Sequence, residues 1–512
     1  MGLDFLRNLP RPQGRTVNRE RRWVIVFAVI VLLITALPYL IGFSRQGTDW
    51  SYTGFAFGVE DGNSYIAKML SGATGAWLFR SPYSAYPQRG LLAFLPYILL
   101  GKLTAPPAQH EQLVALYHLY RCLAGFMMIL ASYDFASVFI SSVAARRLAT
   151  VAATLGGGFG WFYVLGFNGW WQGRLPLEFY SPETFGFLAL FGLPHVAVAR
   201  ALLLWGLKEY LTSIETGFNP RAAARAGGLW LAMGLFAPQT VAVGWAVIAG
   251  HLLATIVYRV VCKREPIGSL PASIRVMFQS GGMIVALSST IVIYTLISFQ
   301  TDPYLSQWLG QNLILSPPPR DYLLAYAILL PFAVVGIFRL PGNGSQRELL
   351  LVGWVALLPL LAYIPHNLQR RLVEGGWAVL AVLAVLGFNC AHRSLRRVAI
   401  VVVAASMLSS LVLVLGGTQA VWNPARPLFR PAAEIEAMKS LAETGRKGAV
   451  VLASNETSNA LPAWVSVRTV VGHGPESARF AELLPRVEMF FQSQTSDDER
   501  KALLSDFGVG YI

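Results

Sequence analysis

Charged residues are scarce in this 512-residue chain. They make up 13% of the sequence, whereas an ordinary soluble protein carries about 25%. Apolar residues make up 54%, and apolar runs of about 20 residues, the length that spans a bilayer, recur from Trp23 to Gly416. This pattern excludes an ordinary soluble multidomain protein. It predicts an all-α polytopic membrane protein, with the lipid bilayer as its surroundings.

Cysteine is also rare, and the familiar catalytic signatures are missing. The three cysteines show no CxxC spacing, which argues against a disulfide framework and against a zinc site; they are Cys122, Cys262 and Cys390. The chain contains no Walker motif, no dinucleotide fingerprint and no Ser-His-Asp order. It also lacks an internal repeat, although many transporters are built from repeated halves. A transporter therefore remains an alternative without positive support.

The net charge of +14, from 41 basic and 27 acidic residues, does not indicate nucleic acid as a partner. Cytoplasmic loops of membrane proteins collect Lys and Arg, and this bias accounts for the excess. Residues 1–22 contain six arginines, and the apolar run at 23–43 that follows is too long for a signal peptide. We therefore expect a basic cytoplasmic N-terminus at 1–22 and an uncleaved first span, followed by a first outer loop at 44–110.

The later basic clusters alternate with apolar runs along the chain. Placing the basic clusters inside gives about eleven spans within a transmembrane domain at 23–416. The apolar run at 227–261 is interrupted at Pro238 and predicts an out-and-back pair. The piece at 91–103 is too short to span, so we expect an interfacial or re-entrant helix there. The implied location is the plasma (inner) membrane.

After Gly416 the hydropathy falls, and the pattern changes to that of a small domain. The periodicity predicts helices near 432–443, 479–492 and 497–505, and strands near 449–453, 465–471 and 509–512. We therefore expect residues 417–512 to form an extracytoplasmic α/β domain. A tight turn is predicted at residues 472–476, Gly-His-Gly-Pro-Glu, whose glycines would also allow a backbone to approach a ligand. A purely structural turn is the preferred interpretation.

Two adjacent acids, Glu60 and Asp61, closely follow the first apolar run. They stand among aromatic and small residues, including Tyr65, rather than among other charges. A carboxylate in a desolvated pocket can serve as a general base or acid, whereas the alternative is a solvated loop face. Lys68 lies seven residues after Asp61, about two helical turns, so both would share one helix face. We expect Lys68 and Tyr65 to support the acids.

A second polar cluster contains two arginines on the predicted outer side, where basic residues are disfavoured. Arg370 and Arg371 would supply planar, bidentate donors for a phosphate at the lipid boundary. Gln369 is adjacent, and Glu374 lies one helical turn after Arg370, so Glu374 is expected to orient that arginine. The alternative interpretation is a pair of interfacial arginines with their charged ends in the headgroup region.

Glu183 and His195 are ionisable residues at an apolar run, where such groups are costly and default to functional hypotheses. One hypothesis is a divalent cation bound by both. In a straight helix their twelve-residue separation would span about 18 Å, so a shared ion would require a break at Pro194. The alternative is a His195 bonded to a backbone carbonyl or an acid. The sequence indicates no certain cofactor.

The first span, the sequence Val-Glu-Asp-Gly-Asn-Ser-Tyr at 59–65 and Pro82-Tyr83 in a long outer loop resemble the GT-C class of membrane glycosyltransferases. This class includes the protein O-mannosyltransferases and the lipid A aminoarabinose transferases. The resemblance covers about residues 20–416 and implies a GT-C-like fold. It also implies transfer of a sugar from a polyprenyl-phosphate-linked donor to an extracytoplasmic acceptor, which would be envelope glycan, lipid or protein.

The same resemblance implies that Glu60 or Asp61 is the catalytic carboxylate. It also implies a basic donor-phosphate site, for which Arg370 and Arg371 are the candidates. Several families of the class have the order Asp-Glu followed by an aromatic residue. Here the order is Glu-Asp, and Tyr65 lies four positions past Asp61, which leaves open which acid is the base. The alternatives are a transporter or flippase of lipid-linked or envelope substrates, and a non-catalytic membrane scaffold.

Overall fold

The computed structural model describes residues 18–105, 109–265, 272–340, 347–388 and 393–512. Most of the basic N-terminus predicted at 1–22 lies outside the described residues, and so does Cys390. The helices, in chain order, are α1 (Asn18–Arg45), α2 (Val59–Ala73), α3 (Leu95–Gly101), α4 (His110–Phe139), α5 (Val143–Leu155), α6 (Gly186–Gly192), α7 (Pro194–Ile214), α8 (Pro220–Gly234), α9 (Pro238–Val257), α10 (Ala272–Thr301), α11 (Pro303–Gln311), α12 (Pro319–Tyr326), α13 (Leu330–Phe338), α14 (Glu348–Tyr363), α15 (Gly376–Gly387), α16 (Arg393–Ser406), α17 (Leu408–Ala420), α18 (Ala432–Thr444), α19 (Asn455–Trp464), α20 (Phe480–Phe490) and α21 (Asp497–Phe507).

Five short strands form two small sheets in the described residues. They are β1 (Trp50–Tyr52), β2 (Phe429–Pro431), β3 (Val450–Val451), β4 (Arg468–Thr469) and β5 (Val509–Tyr511). β1 and β2 pair antiparallel, with Tyr52 opposite Phe429. The second sheet has the order β4-β3-β5, and both of its strand pairs are parallel. The first sheet therefore joins the loop after α1 to the region that precedes α18.

The chain forms two compact units, each assembled from segments that are distant in sequence. Unit 1 comprises the residues up to Thr35 together with Arg121–Ile293 and Ile314–Val414. Unit 2 comprises Ala36–Tyr120, Tyr294–Leu313 and Leu415–Ile512. Four of the five boundaries fall within helices α1, α4, α10 and α17, and the fifth follows the end of α11. The segment after Gly416 therefore belongs to the same unit as the loop after α1.

Glycines set the close helix crossings of unit 1. A Cβ at Gly336 of α13 would overlap the backbone of α15, and one at Gly387 of α15 would overlap the backbone of α13. Small residues let helix backbones approach in this way, which is the usual packing device within a membrane. The break predicted at Pro238 is confirmed, because α8 ends before it and α9 begins with it. Proline fits this first helical position because its missing N–H would be unpaired there anyway.

A mostly helical membrane protein is confirmed by these helices. Five helical segments of the described residues are long and apolar enough to cross a membrane, and a helix pair bent by 77° would make six; the five are Asn18–Arg45, His110–Phe139, Pro238–Cys262, Ala272–Thr301 and Ser394–Ala420. The predicted total of about eleven stays a prediction. Some apolar runs of spanning length form short or broken helices. The run at 148–167 is an example, since α5 ends at Leu155.

In unit 2, α2 and α3 cross at two glycines. A Cβ at Gly72 of α2 would overlap the carbonyl of Ile98, and a Cβ at Gly101 of α3 would overlap the carbonyl of Met69. α3 has seven residues, so the apolar piece at 91–103 contains no spanning helix. This close crossing fixes α2, and α2 carries the two predicted acids.

The elements predicted after Gly416 agree with the structure. The three predicted helices correspond to α18, α20 and α21, and the three predicted strands to β3, β4 and β5. Helix α19 was not predicted from the sequence; its N-cap Ser454 accepts a hydrogen bond from the Thr457 amide at 3.3 Å. Residues packed between the sheet and the helices include the buried Val450, Val471 and Leu483.

Candidate active site

Helix α2 presents Glu60 and Asp61 in its first turn. The chain enters the helix through Gly58, whose φ of 58° is left-handed and therefore suits glycine. Carboxylates in the first turn are favoured by the helix dipole. Both acids are exposed, and 57% of the Asp61 side chain is accessible. The apolar pocket expected around them is therefore not formed, and the buried stretch of α2 begins at the next residue, Gly62.

His473 lies directly behind Asp61. Its Nε2 atom is 3.2 Å from Asp61 Oδ1, and only 5% of its side chain is exposed. The imidazole packs against Tyr83 with 5.5 Å between ring centroids. The second ring nitrogen, Nδ1, is 3.8 Å from Glu476 Oε1. An exposed carboxylate is thus backed by a buried imidazole that comes from the far end of the chain.

Glu476 and Lys68 form a buried ion pair beneath the imidazole. Lys68 Nζ lies 2.6 Å from Glu476 Oε1, and the two side chains are 0% and 5% exposed. Ser64 Oγ donates to the same carboxylate oxygen at 2.7 Å, and Phe94 contacts the ammonium with its ring 4.3 Å away. Burial opposes ionisation of Glu476, but the Lys68 ammonium, together with His473 and the hydrogen bond from Ser64, more than offsets this and holds the pKa of the carboxyl below its usual value.

The turn that carries His473 and Glu476 is held by side chains of its own unit. Ser477 Oγ accepts from the backbone N–H of His473 at 3.1 Å. Gln311 Nε2 donates to the Ser477 carbonyl at 2.6 Å, and Tyr304 Oη donates to the Glu476 carbonyl at 2.7 Å. Burial and the nearby Glu476 raise the pKa of Tyr304, which therefore keeps its donor proton. We call residues 472–477 the tail turn.

We call Asp61, Ser64, Lys68, His473 and Glu476 together the His473 network. The sequence predicts Asp61 and Lys68 on one helix face, and in the structure both contact the tail turn. His473 and Glu476 were not predicted, because the sequence Gly-His-Gly-Pro-Glu by itself indicates only a structural turn. A signal existed, since a lysine on the apolar face of a helix needs an acid.

Tyr65 belongs to the packing around the network rather than to the acids. Its ring stacks on Tyr97 with 4.7 Å between centroids and an interplanar angle of 7°. It also stacks on Tyr117 at 6.0 Å. The Lys68 ammonium is 5.6 Å from the Tyr65 ring. The aromatic stack thus lines the apolar side of the buried lysine.

The two arginines of the second cluster lie in unit 1, in a short 3-10 turn at Gln369–Val373. Arg371 Nε is 3.3 Å from Glu183 Oε1, and 35% of the arginine side chain is exposed. The Arg370 guanidinium lies over the Tyr180 ring, 4.6 Å from its centroid. Gln369 Oε1 accepts from the Ser316 amide at 3.2 Å. Each arginine is therefore oriented by a neighbour, and Arg371 in addition remains partly accessible.

Glu374 does not play the predicted role of partner to Arg370. Its carboxylate pairs with Arg200 at 2.6 Å, and both side chains are almost fully buried. Arg200 Nη2 also donates to the carbonyls of Pro182, at 2.7 Å, and of Glu183. The Gly375 amide donates to the Glu183 carbonyl at 2.9 Å. Glu374 instead fixes the backbone that carries Glu183, and so acts on Arg371 indirectly.

The hypothesis of a divalent cation at Glu183 and His195 does not fit the residues present. The helix does break before Pro194, because α6 ends at Gly192 and α7 begins at Pro194. The Glu183 carboxylate, however, faces the positive guanidinium of Arg371. Within the described part of the chain, no group of three His, Cys, Asp or Glu side chains is placed to hold a metal ion. We therefore assign no chemical step to a metal.

No family model and no curated protein matches this chain, whereas solved structures do. One is the archaeal oligosaccharyltransferase AglB from Archaeoglobus fulgidus in complex with an inhibitory peptide and a dolichol-phosphate. That match has a TM-score of 0.53 and 12% identity, and covers 96% of this chain and 69% of AglB. Another is ArnT from Cupriavidus metallidurans in the apo state, with a TM-score of 0.50, 12% identity and 95% of both chains covered.

These similarities define the class of fold. The chain has the architecture of the GT-C membrane proteins, so the resemblance stated from the sequence is confirmed at the level of fold. The particular neighbours are an oligosaccharyltransferase and ArnT. At 12% identity the similarity supports the architecture but not the reaction. The support for a reaction comes from the His473 network and from the cluster around Arg370 and Arg371.

Proposed function

We propose that this protein is a membrane glycosyltransferase that moves a sugar from a polyprenyl-phosphate-linked donor to an extracytoplasmic acceptor. The observation that carries the proposal is the exposed Asp61 carboxylate, held from behind by the buried His473 network. Its setting is a fold shared with an oligosaccharyltransferase and with ArnT. An exposed acid on a rigid, buried support is the arrangement that a positioned general base requires.

The reaction forms a bond between the acceptor oxygen and the anomeric carbon of the sugar, and breaks the bond between that carbon and the donor phosphate oxygen. The acceptor proton passes to a carboxylate of the Glu60-Asp61 pair, and the polyprenyl phosphate leaves with the bonding electrons. General-base assistance of this kind contributes about 10²- to 10⁴-fold. The buried support contributes by keeping the carboxylate in one orientation before the acceptor arrives.

Arg370 and Arg371 are the proposed donor-phosphate site. Guanidinium groups match the planar geometry of phosphate oxygens and stabilise the charge that develops on the leaving group. Glu183 orients Arg371 at 3.3 Å, and Tyr180 supports Arg370 from one face. The Arg200–Glu374 pair holds the Glu183 backbone in place.

The proposed location is the plasma (inner) membrane, with the N-terminus in the cytoplasm and residues 417–512 outside it. The support is the excess of basic residues in the loops that this orientation places inside. An extracytoplasmic acceptor follows from that orientation, because Glu60 and Asp61 would then lie outside as well. The α/β elements after Gly416 would act there, through the tail turn, on the acceptor side of the reaction.

The test is a transfer assay on membranes that contain the parent or a variant, supplied with a labelled polyprenyl-phosphate sugar. The parent should move label from the lipid fraction to an acceptor fraction. Asp61→Asn and Arg371→Ala should each lower the rate by about 10²-fold or more. Transfer by Glu60→Gln is measured in the same assay. The control is Arg225→Gln, a change at an exposed surface arginine.

Full retention of transfer in all three variants would contradict the site. Label that crosses the membrane but stays on the lipid would identify a flippase instead. Membrane yield and elution as a single species in detergent must match between variants, so that a lost rate reports chemistry rather than misfolding.

A further inference from the structure

We propose that His473 is a positioning residue that selects Asp61, rather than Glu60, as the acid that meets the acceptor. The inference rests on the proposed function and goes beyond it, because the order Glu-Asp by itself does not distinguish the two acids. It also gives the tail turn a part in the reaction, although its sequence alone suggests only a structural turn.

The two acids have different relations to the rest of unit 2. The Asp61 carboxylate is contacted through Oδ1 by His473 Nε2 at 3.2 Å. Glu60 contacts α19 through its backbone, whose carbonyl accepts from Asn459 Nδ2 at 3.3 Å. A side-chain contact fixes the direction in which a carboxylate points, whereas a backbone contact fixes only the start of the side chain. Asp61 is therefore the oriented acid.

His473 is itself immobile, as a positioning residue must be. Its backbone N–H donates to Ser477, its ring packs on Tyr83, and its Nδ1 edge faces the Glu476 carboxylate. Glu476 is fixed by two donors from α2, Lys68 and Ser64. These contacts are buried, so they lose little to solvent screening.

The geometry forms a closed loop of contacts between two elements. α2 supplies Asp61 at the surface and Lys68 two turns further along, while the tail turn supplies His473 beside Asp61 and Glu476 beside Lys68. A base that is held by a second group, which is in turn held by a third, is the recurring arrangement of activated catalytic residues. Here the reacting group is the carboxylate and the imidazole is the support.

The test compares His473→Ala with His473→Gln in the labelled-sugar assay. Glutamine keeps an N–H near the position of Nε2, whereas alanine removes it. We expect His473→Ala to lower kcat by about 10²-fold, the usual cost of a misplaced reacting group, with KM for the lipid donor nearly unchanged. His473→Gln should recover most of the rate. Lys501→Gln, at an exposed site on α21, is the control.

Double variants show whether His473 acts through Asp61. His473→Ala should cost little further in an Asp61→Asn background, and should keep its full cost in a Glu60→Gln background, because coupled residues are not additive. Equal losses in the alanine and glutamine variants, or a full further loss in the Asp61→Asn background, would overturn the inference.

The outcomes also separate this inference from the proposed function. A parent that transfers no label overturns both. A parent that transfers label, together with a His473→Ala variant of equal rate, overturns only the role of His473. The thermal midpoint in detergent is measured for each variant, and an alanine variant that is slow although as stable as the glutamine variant supports positioning over a structural role.

Discussion

At the scale of single residues, the charge state of Glu476 affects how strongly α2 and the tail turn are held together. The pKa of Glu476 lies below its usual value because the Lys68 ammonium, with His473 and Ser64, outweighs the effect of burial. A carboxyl with a lowered folded-state pKa contributes stability above its unfolded-state value, about 4.3. That contribution is lost as the pH falls through the folded-state pKa.

We therefore predict that the contribution of the Lys68–Glu476 ion pair to the thermal midpoint stays constant between pH 7 and pH 5 and falls on further acidification. Thermal unfolding in detergent at stepped pH measures this for the parent and for Glu476→Gln. The glutamine variant should be less stable at pH 7, by about 3–5 kcal/mol for a broken buried pair. Its thermal midpoint should also fall less on acidification. Parallel curves of thermal midpoint against pH for the parent and the variant would refute the prediction.

Single residues also show the limits of the sequence. Glu60, Asp61 and Lys68 could be found because they lie within nine positions of each other on one predicted helix. His473 could not be assigned, because its contact with Asp61 joins positions 412 residues apart. Local spacing carries no information about such a pairing. The predicted pairing of Glu374 with Arg370 was wrong for a related reason, because Glu374 pairs instead with Arg200, which is distant in the sequence.

At the scale of elements, the crossing of α2 and α3 controls where the acids lie. A side chain at Gly101 would overlap the Met69 carbonyl on α2. We predict that Gly101→Ala pushes the helices apart and destabilises the protein by about 1–3 kcal/mol, the usual cost of overpacking. Transfer activity should fall with it. The control is Gly47→Ala, where a Cβ has no atom within 4 Å.

Thermal unfolding and the transfer rate are measured on both glycine variants. An unchanged thermal midpoint for Gly101→Ala would show that the crossing tolerates a methyl group. Elements of regular period were predictable here, including α18, α20, α21 and the three strands of the second sheet. The break at Pro238 was predicted from its proline, whereas the end of α5 at Leu155 was not, because an apolar run shows its length but not whether its glycines interrupt the helix.

At the scale of the whole molecule, unit 2 is built from three separate segments of the chain. Truncation after Gly416 would remove β2, the tail turn and the acid that pairs with buried Lys68. We predict that the truncated protein loses the fold of unit 2 and does not persist as a shortened but intact protein. Limited proteolysis should cut within residues 44–105 in the truncated protein and spare them in the parent.

Equal protection of residues 44–105 in both proteins would contradict this prediction. At this scale hydropathy and charge bias predicted a polytopic membrane protein, because both are summed over hundreds of residues. The GT-C-like fold was predicted from the resemblance of the first span and of residues 59–65 and 82–83 to that class. It presented residues 417–512 as an added domain, since composition changes sharply at Gly416. Composition cannot show that this segment completes a unit begun near residue 36.

The ion pair between Lys68 and Glu476 also has a consequence for biosynthesis. The two residues are 408 positions apart, and ribosomes add about 5–20 residues each second. Lys68 is therefore made roughly 20–80 s before its partner exists. During that interval the nascent chain holds an unpaired lysine on an apolar helix face. Asp61 acquires its support only after residues 473 and 476 have been made, so we expect a chain that ends before them to lack the proposed activity.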